Sequence, residues 1–428
     1  MDRALASILA SSFVTPFIAS ALGVALPALA SSFGVPSTAT VSLLVALTLA
    51  VAVFVLPFGR LADVAGYGRM FRAGLAVAGA GLASAALSPS LEALYGSLLV
   101  AGVGLAAVFG SNNALLFHIV PPERRATAVG LNSASVYLGL LAGPAVGGLL
   151  AQFSWRLIFA PAVVLVLLSY VLVGRVATTA GRASGGFDVA GSVVLGGSIA
   201  LVVLGVDAGL WTAAALGAAG LAAAFLLESR REAPVLEVGL FRSVVFSASV
   251  AAAFLNYLST AALSPSLSLL FQEVYKMAPR DAGFMLSLQA LAMALLAPVA
   301  GRVSDRVSPS AVAALGAGVL ATALYLLSAE PSPTAAPWLL LALGAGFAFF
   351  IVPNTTIILS SVPPSRRGMA SALVAEARVL GQSLSNAVAS YVLRSAPGVA
   401  AGVSALTALL AYISVATVFL SLVRHLSH

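Results

Sequence analysis

The sequence predicts an all-α polytopic membrane protein of fourteen transmembrane helices, two six-helix bundles with two further helices inserted between them. Three features of the chain point there. Of its 428 residues 61% are hydrophobic and only 8% charged, against roughly 25% charged in soluble globular domains. Apolar runs of about 20 residues, the helical length that crosses a hydrocarbon core, recur along the whole chain rather than at one end. The chain also repeats itself. "FGRLADV" at 58–64 returns as "AGRVSDR" at 300–306 and "VPPERR" at 120–125 as "VPPSRR" at 362–367, while Gly102, Gly104 and Asn112 fall on Gly344, Gly346 and Asn354, always 242 positions on. Separate matches at one gapless offset mark two homologous membrane halves.

In order, the apolar runs place helices at 5–30, 38–58, 71–88, 93–117, 126–150 and 155–174 in the first half. The second half has them at 244–271, 282–300, 309–328, 337–361, 368–393 and 403–423. The first run is too long for a signal-peptide core and is read as a retained helix. Six spans with short loops need roughly 175–185 residues, so the excess length lies between the halves. There "FDVAGSVVLGGSIALVVLGVDAG" and "LWTAAALGAAGLAAAFLLESRRE" supply helices at 189–206 and 210–227. The expected division is 1–175, an inserted pair in 176–242, and 243–428. An even number of inserted spans leaves the second half in the orientation of the first.

Charge placement orients the model. One set of helix ends collects Arg3, Arg60, Arg69, Arg72, Arg124, Arg125, Arg175, Arg182, Arg230, Arg231, Arg242, Arg302, Arg306, Arg366, Arg367 and Arg424, sixteen in all. The other set has Arg156, Lys276, Arg280 and Arg394. The positive-inside rule then makes both termini cytoplasmic in a multi-pass protein of the cell membrane, expected to be a monomer with the lipid bilayer as its standing partner. The net charge of +7 forms no basic face with interleaved aromatics, so no nucleic acid is expected as a partner. Cysteine is absent and two of the three histidines, His425 and His428, end the chain, which removes disulfides and thiolate metal sites and disfavours haem or zinc. His118, beside the "PPERR" turn, reads as a surface residue. The single lysine, Lys276, follows "LFQEVY" rather than a glycine-rich loop. A Walker A motif is therefore impossible and ATP-driven pumping by this chain alone is excluded. No cofactor, no metal and no enzyme activity are expected, since no cluster of catalytic side chains shares one membrane depth.

"GRLADVAGYGR", 59–69, offers Gly59 and Gly66 for a tight turn and Arg60, Asp63 and Arg69 for an ion-pair latch, mirrored by Gly301, Arg302, Asp305 and Arg306. It resembles the loop signature between the second and third helices of the major facilitator superfamily. In "LGLLAGPAVGGLL", 138–150, Gly139, Gly143 and Gly147 fall at i, i+4 and i+8 as one smooth face, Pro144 favours a bend and Gly148 follows. The whole block "GPAVGGLLAQFSWRLIF", with "FDVAG" opening the inserted pair, resembles the fourteen-helix drug:proton antiporter family over nearly the full chain. The resemblance implies the major facilitator fold and efflux of hydrophobic or amphipathic small molecules by alternating access, in exchange for protons. A carrier of lipids or small solutes without proton coupling is the alternative. Two departures favour it: Ile18 stands where that family carries a first-helix acid before its "ALP" element, and Leu98 where it carries a fourth-helix arginine.

"SALVAEARVLGQS", 371–383, places Glu376 and Arg378 about 13 and 16 Å from Arg367 at 1.5 Å per residue, near the middle of a core of roughly 30 Å. Two positions apart, they point to opposite sides of a helix and need separate partners. Glu376 reads either as a protonatable coupling site or as a partner for the motif arginines near the second helix. Arg378 reads as a modulator or anion-binding group, or as a packing residue bonded to carbonyls. Asp207 is a weaker coupling candidate or a solvated interfacial residue. Asn112, Asn113, Tyr137, Asn256, Tyr257, Gln289, Asn354 and Thr355 are the polar residues within spans, candidates for lining a substrate cavity or for bonding helix to helix.

Overall fold

The computed structural model describes residues 2–174, 187–228, 238–329, 331–363 and 366–426. Arg175, Arg182, Arg230, Arg231, Pro364 and Ser365, on which part of the charge count and of the second "VPPSRR" turn rests, lie outside the described residues. Among the described residues there is no strand, and fourteen long helices follow one another. The first six are α1 (Asp2–Phe33), α2 (Ser42–Ala65), α3 (Tyr67–Ala86), α4 (Leu91–Ile119), α5 (Arg125–Ala151) and α6 (Phe159–Val173). Then come α7 (Val189–Ala208) and α8 (Trp211–Glu228). The last six are α9 (Val244–Thr260, continued by Leu263–Leu269), α10 (Pro279–Ser304), α11 (Pro309–Ala329), α12 (Ala336–Ser360), α13 (Arg367–Ser395) and α14 (Val399–Leu426). Among the described residues twelve spans are long and apolar enough to cross a membrane on their own; α3, with Arg69 and Arg72, and α13, with Glu376 and Arg378, are the two long helices outside that set.

Local chemistry sets the helix ends. Side chains of Ser90, Asp188 and Ser243 accept from the amides of Ala93, Gly191 and Phe246, capping α4, α7 and α9. The apolar runs place the α2–α3 boundary between 58 and 71, but α2 continues to Ala65 and α3 starts at Tyr67. A helix outlasts its lipid-facing stretch until something stops it, and here Gly66 does so with φ +105, a conformation most side chains cannot adopt. The run at 244–271 is likewise not one straight helix: it breaks at Ala261–Ala262, because Pro265 has no N–H to return to the Ala261 carbonyl. The Ala262 amide at this break donates to Ser385 Oγ of α13 at 3.0 Å.

Contacts sort the helices into two groups. Within the first, α4 packs on α2 and α3, and α1 on α5 and α6; within the second, α11 packs on α12 and α14, α10 on α12, and α9 on α13 and α14. Between the groups the principal contacts are α5 on α10, α2 on α13, and α1 on the Leu263–Leu269 segment. α7 packs on α8, α2 and α13.

Those intergroup contacts lie toward one end. Ser287 Oγ of α10 donates to the Leu141 carbonyl of α5 at 3.1 Å, Asn386 Nδ2 of α13 to Thr48 Oγ1 at 3.4 Å, and Gln272 Nε2 to the Val24 carbonyl of α1 at 2.9 Å. At the basic end, where Arg124, Arg125, Arg302 and Arg306 sit, α5 and α10 instead expose Val129 and Leu131, Leu295 and Val299. Among the described residues the hydrogen bonds between the groups thus lie at the end away from the basic turns.

Small residues make the touching end possible. Gly139, Gly143 and Gly147 all face α1, where an added Cβ would meet the Phe13 and Phe17 carbonyls and, for Gly147, the Ala21 Cα at 2.7 Å. Gly148 and Gly283 face each other across the two groups, a Cβ on Gly283 running into the Pro144 carbonyl. Gly283→Ala and Gly147→Ala should each lower the thermal midpoint of the purified protein. Overpacking costs about 1–3 kcal/mol, which exceeds the gain of roughly 1 kcal/mol in helix propensity. Gly130→Ala, where nothing lies within 4 Å, should leave the midpoint unchanged or raise it.

Candidate functional site

Helices of both groups converge on Arg378. It projects from the middle of α13 and is half-buried, with its guanidinium carbon 4.4 Å from the centroid of the Phe109 ring on α4. Tyr257 on α9 lies near Arg378, with Tyr137 on α5 further off. Tyr257 stacks edge-on against Phe347 of α12, ring centroids 5.5 Å apart. A guanidinium bordered by aromatic faces and phenolic hydroxyls can hold a planar ligand and donate to it at once. Among the described residues Arg378 has no carboxylate partner.

Glu376 points elsewhere. Two residues turn a helix by about 200°, so its carboxylate lies on the far side of α13 from Arg378. Arg394, five turns further along, shares the Glu376 face, and Arg394 bonds to Asp207 of α7. Glu376 thus shares the face of α13 from which Arg394 reaches Asp207 of α7. It is 7% exposed and neither oxygen has a hydrogen-bond partner among the described residues. Arg60 of α2 is paired with Asp63 instead, at 3.5 Å.

Asp207 is not solvated. It is 8% exposed and pairs with Arg394 at 3.3 Å, its backbone carbonyl also accepting from the same guanidinium. Pairing offsets the cost of taking that carboxylate out of water. Beside it Trp211 of α8 meets Tyr391 of α13 edge-on at 5.1 Å, which fastens the α7–α8 pair to the second group at the end away from the basic turns.

At the basic end the loop motif closes on itself. Tyr67 donates to Asp63 at 2.8 Å, so Asp63 ties Arg60 to the start of α3, while Arg69 is exposed. Gly59 comes near the Gly110 carbonyl of α4. In the second copy Gly301 is half-buried and Arg302, Asp305 and Arg306 are exposed, with no ion pair among the described residues.

The polar span residues divide by surroundings. Asn112 Nδ2 donates to Ser12 Oγ at 2.6 Å and Ser12 Oγ to Asn132 at 2.6 Å, knitting α4, α1 and α5. Its repeat mate Asn354 donates to the Ser249 carbonyl at 3.0 Å, again reaching from the fourth helix of a group to the first. Thr355 Oγ1 donates to the Ile351 carbonyl of its own helix, Gln289 is half-buried, and Asn113 is exposed. Asn256 is fully buried, with neither side-chain polar atom partnered among the described residues.

Sequence reasoning missed Arg424. Counted among the basic helix ends, it is 0% exposed and donates to Ser249 Oγ at 2.9 Å and to Asn354 Oδ1. The signal was present along α14: Thr407, Ser414, Thr417, Ser421 and Arg424 recur at helical spacing, and all five are fully buried. That polar stripe faces the bundle, and Arg424 continues it.

The chain matches the model of the family described as the Major Facilitator Superfamily over residues 8–192 and 249–426. It is 30% identical to the "Uncharacterized transporter YebQ" of Escherichia coli (strain K12), across 86% of this chain and 84% of the relative. Identity to the "Multidrug resistance protein Stp" of Mycobacterium tuberculosis is 28%, across 87% of this chain and 72% of Stp. Identity to the "Tetracenomycin C resistance and export protein" of Streptomyces glaucescens is 33%, across 82% of this chain and 68% of that protein. In fold it is similar to the crystal structure of a POT family transporter in complex with a thioalcohol-conjugated peptide, with a TM-score of 0.75 at 14% identity, covering 98% of this chain and 94% of that one. An all-helical chain whose two helix groups meet at one end, matched by that family model through both groups, belongs to the Major Facilitator Superfamily.

Proposed function

We propose that this transporter exports hydrophobic or amphipathic small molecules from the cell by alternating access. The observation that carries the reading is the one-ended contact of its two helix groups. With residues 1–175 and 243–428 moving as two six-helix bodies around Arg378, and 176–242 as an inserted helix pair, breaking the contacts at Leu141, Thr48 and Val24 and closing the basic end would expose the space between them to the opposite side. The positive-inside rule puts the basic end, and both termini, in the cytoplasm, so the form described here would load from inside. Apolar and aromatic walls suit amphipathic cargo, and export or drug resistance is what two relatives are named for.

Proton coupling is assigned to Glu376. Its carboxylate is buried and neither oxygen has a hydrogen-bond partner among the described residues, and a change of packing at α2, α7 and α13 would change its surroundings. A specific observation favours the uncoupled alternative, a carrier of lipids or small solutes: Ile18 and Leu98 are apolar and fully buried where the proton-coupled pattern has charges. Purified protein in liposomes with an imposed pH gradient and a pH-sensitive dye decides between them when hydrophobic compounds of each charge type are added. Substrate-dependent proton movement in the wild type should fall to the protein-free level in Glu376→Gln while substrate binding persists. Solute movement without proton movement, unchanged by the substitution, would establish the uncoupled carrier.

A further inference from the structure

The cargo class follows from which charges face the space between the groups. The carboxylates of the two groups among the described residues are Asp2, Asp63, Glu92, Glu123, Glu273, Asp281 and Asp305, all at or near helix ends, and Glu376 at mid-helix. Glu376 is turned about 200° from Arg378. Arg378 is thus a mid-helix cation with Phe109 of the first group against its guanidinium and Tyr257 of the second nearby. Its charge is uncompensated by any carboxylate among the described residues, and low dielectric magnifies its attraction for anions and repulsion of cations.

We infer that Arg378 and the aromatic side chains of Phe109, Tyr137 and Tyr257 form a binding site selective for aromatic amphiphiles carrying a carboxylate, sulfonate or phenolate, and that lipophilic cations are excluded. This inference rests on the export reading above and narrows its cargo. The guanidinium plane, covered on one face by Phe109, keeps its edge N–H groups for a bidentate bond to an oxyanion. The tyrosine hydroxyls supply further donors, and the rings supply apolar area for the rest of the ligand. A cation entering the same space would meet a fixed like charge with no acid to offset it.

The test uses full-length protein in nanodiscs with three fluorescent probes: fluorescein as the anion, ethidium as the cation and N-phenyl-1-naphthylamine as the neutral control. Fluorescein should bind saturably, and Arg378→Gln should weaken it about tenfold or more, since bonds to charged groups are the strong ones. Arg378→Lys should retain part of the affinity by keeping charge without the fork. Unchanged binding of the neutral probe and an unchanged thermal midpoint confirm that a variant is folded. Should Arg378→Gln fail that control, the salt dependence of fluorescein binding to wild type and the Phe109→Leu variant take its place, both expected to show weakened binding. Wild type binding ethidium as tightly as fluorescein, or fluorescein affinity indifferent to Arg378→Gln, overturns the inference. Transport of the same dyes separates the two readings: ethidium exported and fluorescein not would sink the anion site and leave export standing. No dye moved while fluorescein binds through Arg378 would sink export and leave the site.

Discussion

Inside lipid, two apolar helices gain nothing from hiding their surfaces from one another, because acyl chains are as apolar as leucine. What remains is close van der Waals contact, and that requires backbones without bulky side chains between them. The structure depends on this at its touching end, where Gly148 faces Gly283 and a Cβ on either would strike the other helix's backbone. The Gly139, Gly143 and Gly147 face does the same for α1 on α5 within one group. One short motif thus seats α1 and, a residue further on, α10. An intergroup contact made by such packing and a few hydrogen bonds is compatible with repeated breaking and remaking. A large apolar interface in water would not be.

The second constraint is that a charge in the membrane needs either a partner or water. Four of the buried or half-buried charged groups among the described residues show four arrangements. Asp207 pairs with Arg394 and thereby holds the inserted helices to α13. Arg424 is surrounded by Ser249 and Asn354, which knits α9, α12 and α14. Arg378 leans on an aromatic ring at the meeting place of the groups. Glu376, on the other face of the same helix, is buried without a hydrogen bond among the described residues. α13 thus carries a cation at the candidate cargo site and a buried acid on its opposite face, so any tilt or rotation of α13 changes both environments together.

Much of this was legible in the sequence for physical reasons. A run of some 20 apolar residues has few ways to fold other than as a spanning helix, so all fourteen segments could be placed from hydropathy. Their ends could not, because a helix stops where a residue such as Gly66 stops it rather than where lipid does. The break in α9 was written as Pro265, yet in a membrane helix proline is as often accommodated as disruptive. For the site, two charges in an apolar run announced themselves, and their spacing put them on opposite sides. What faces each could not be read, since Phe109 and Tyr257 reach Arg378 from helices far away in the chain. Arg424 was hidden by its position: near a helix end it counted as an interfacial charge, and only the buried stripe from Thr407 onward betrays its direction.

Alternating access requires that the two helix groups contact at one end at a time. The chain has no cysteine, so introduced pairs report without background. Thr48→Cys with Asn386→Cys reads the touching end, and Leu131→Cys with Leu295→Cys reads the basic end, each followed by cross-linking in liposomes as substrate is added. Reciprocal yields are expected, the first pair linking readily in the form described here and the second gaining only as the first declines. Simultaneous full cross-linking of both pairs in the same molecules would contradict alternating access.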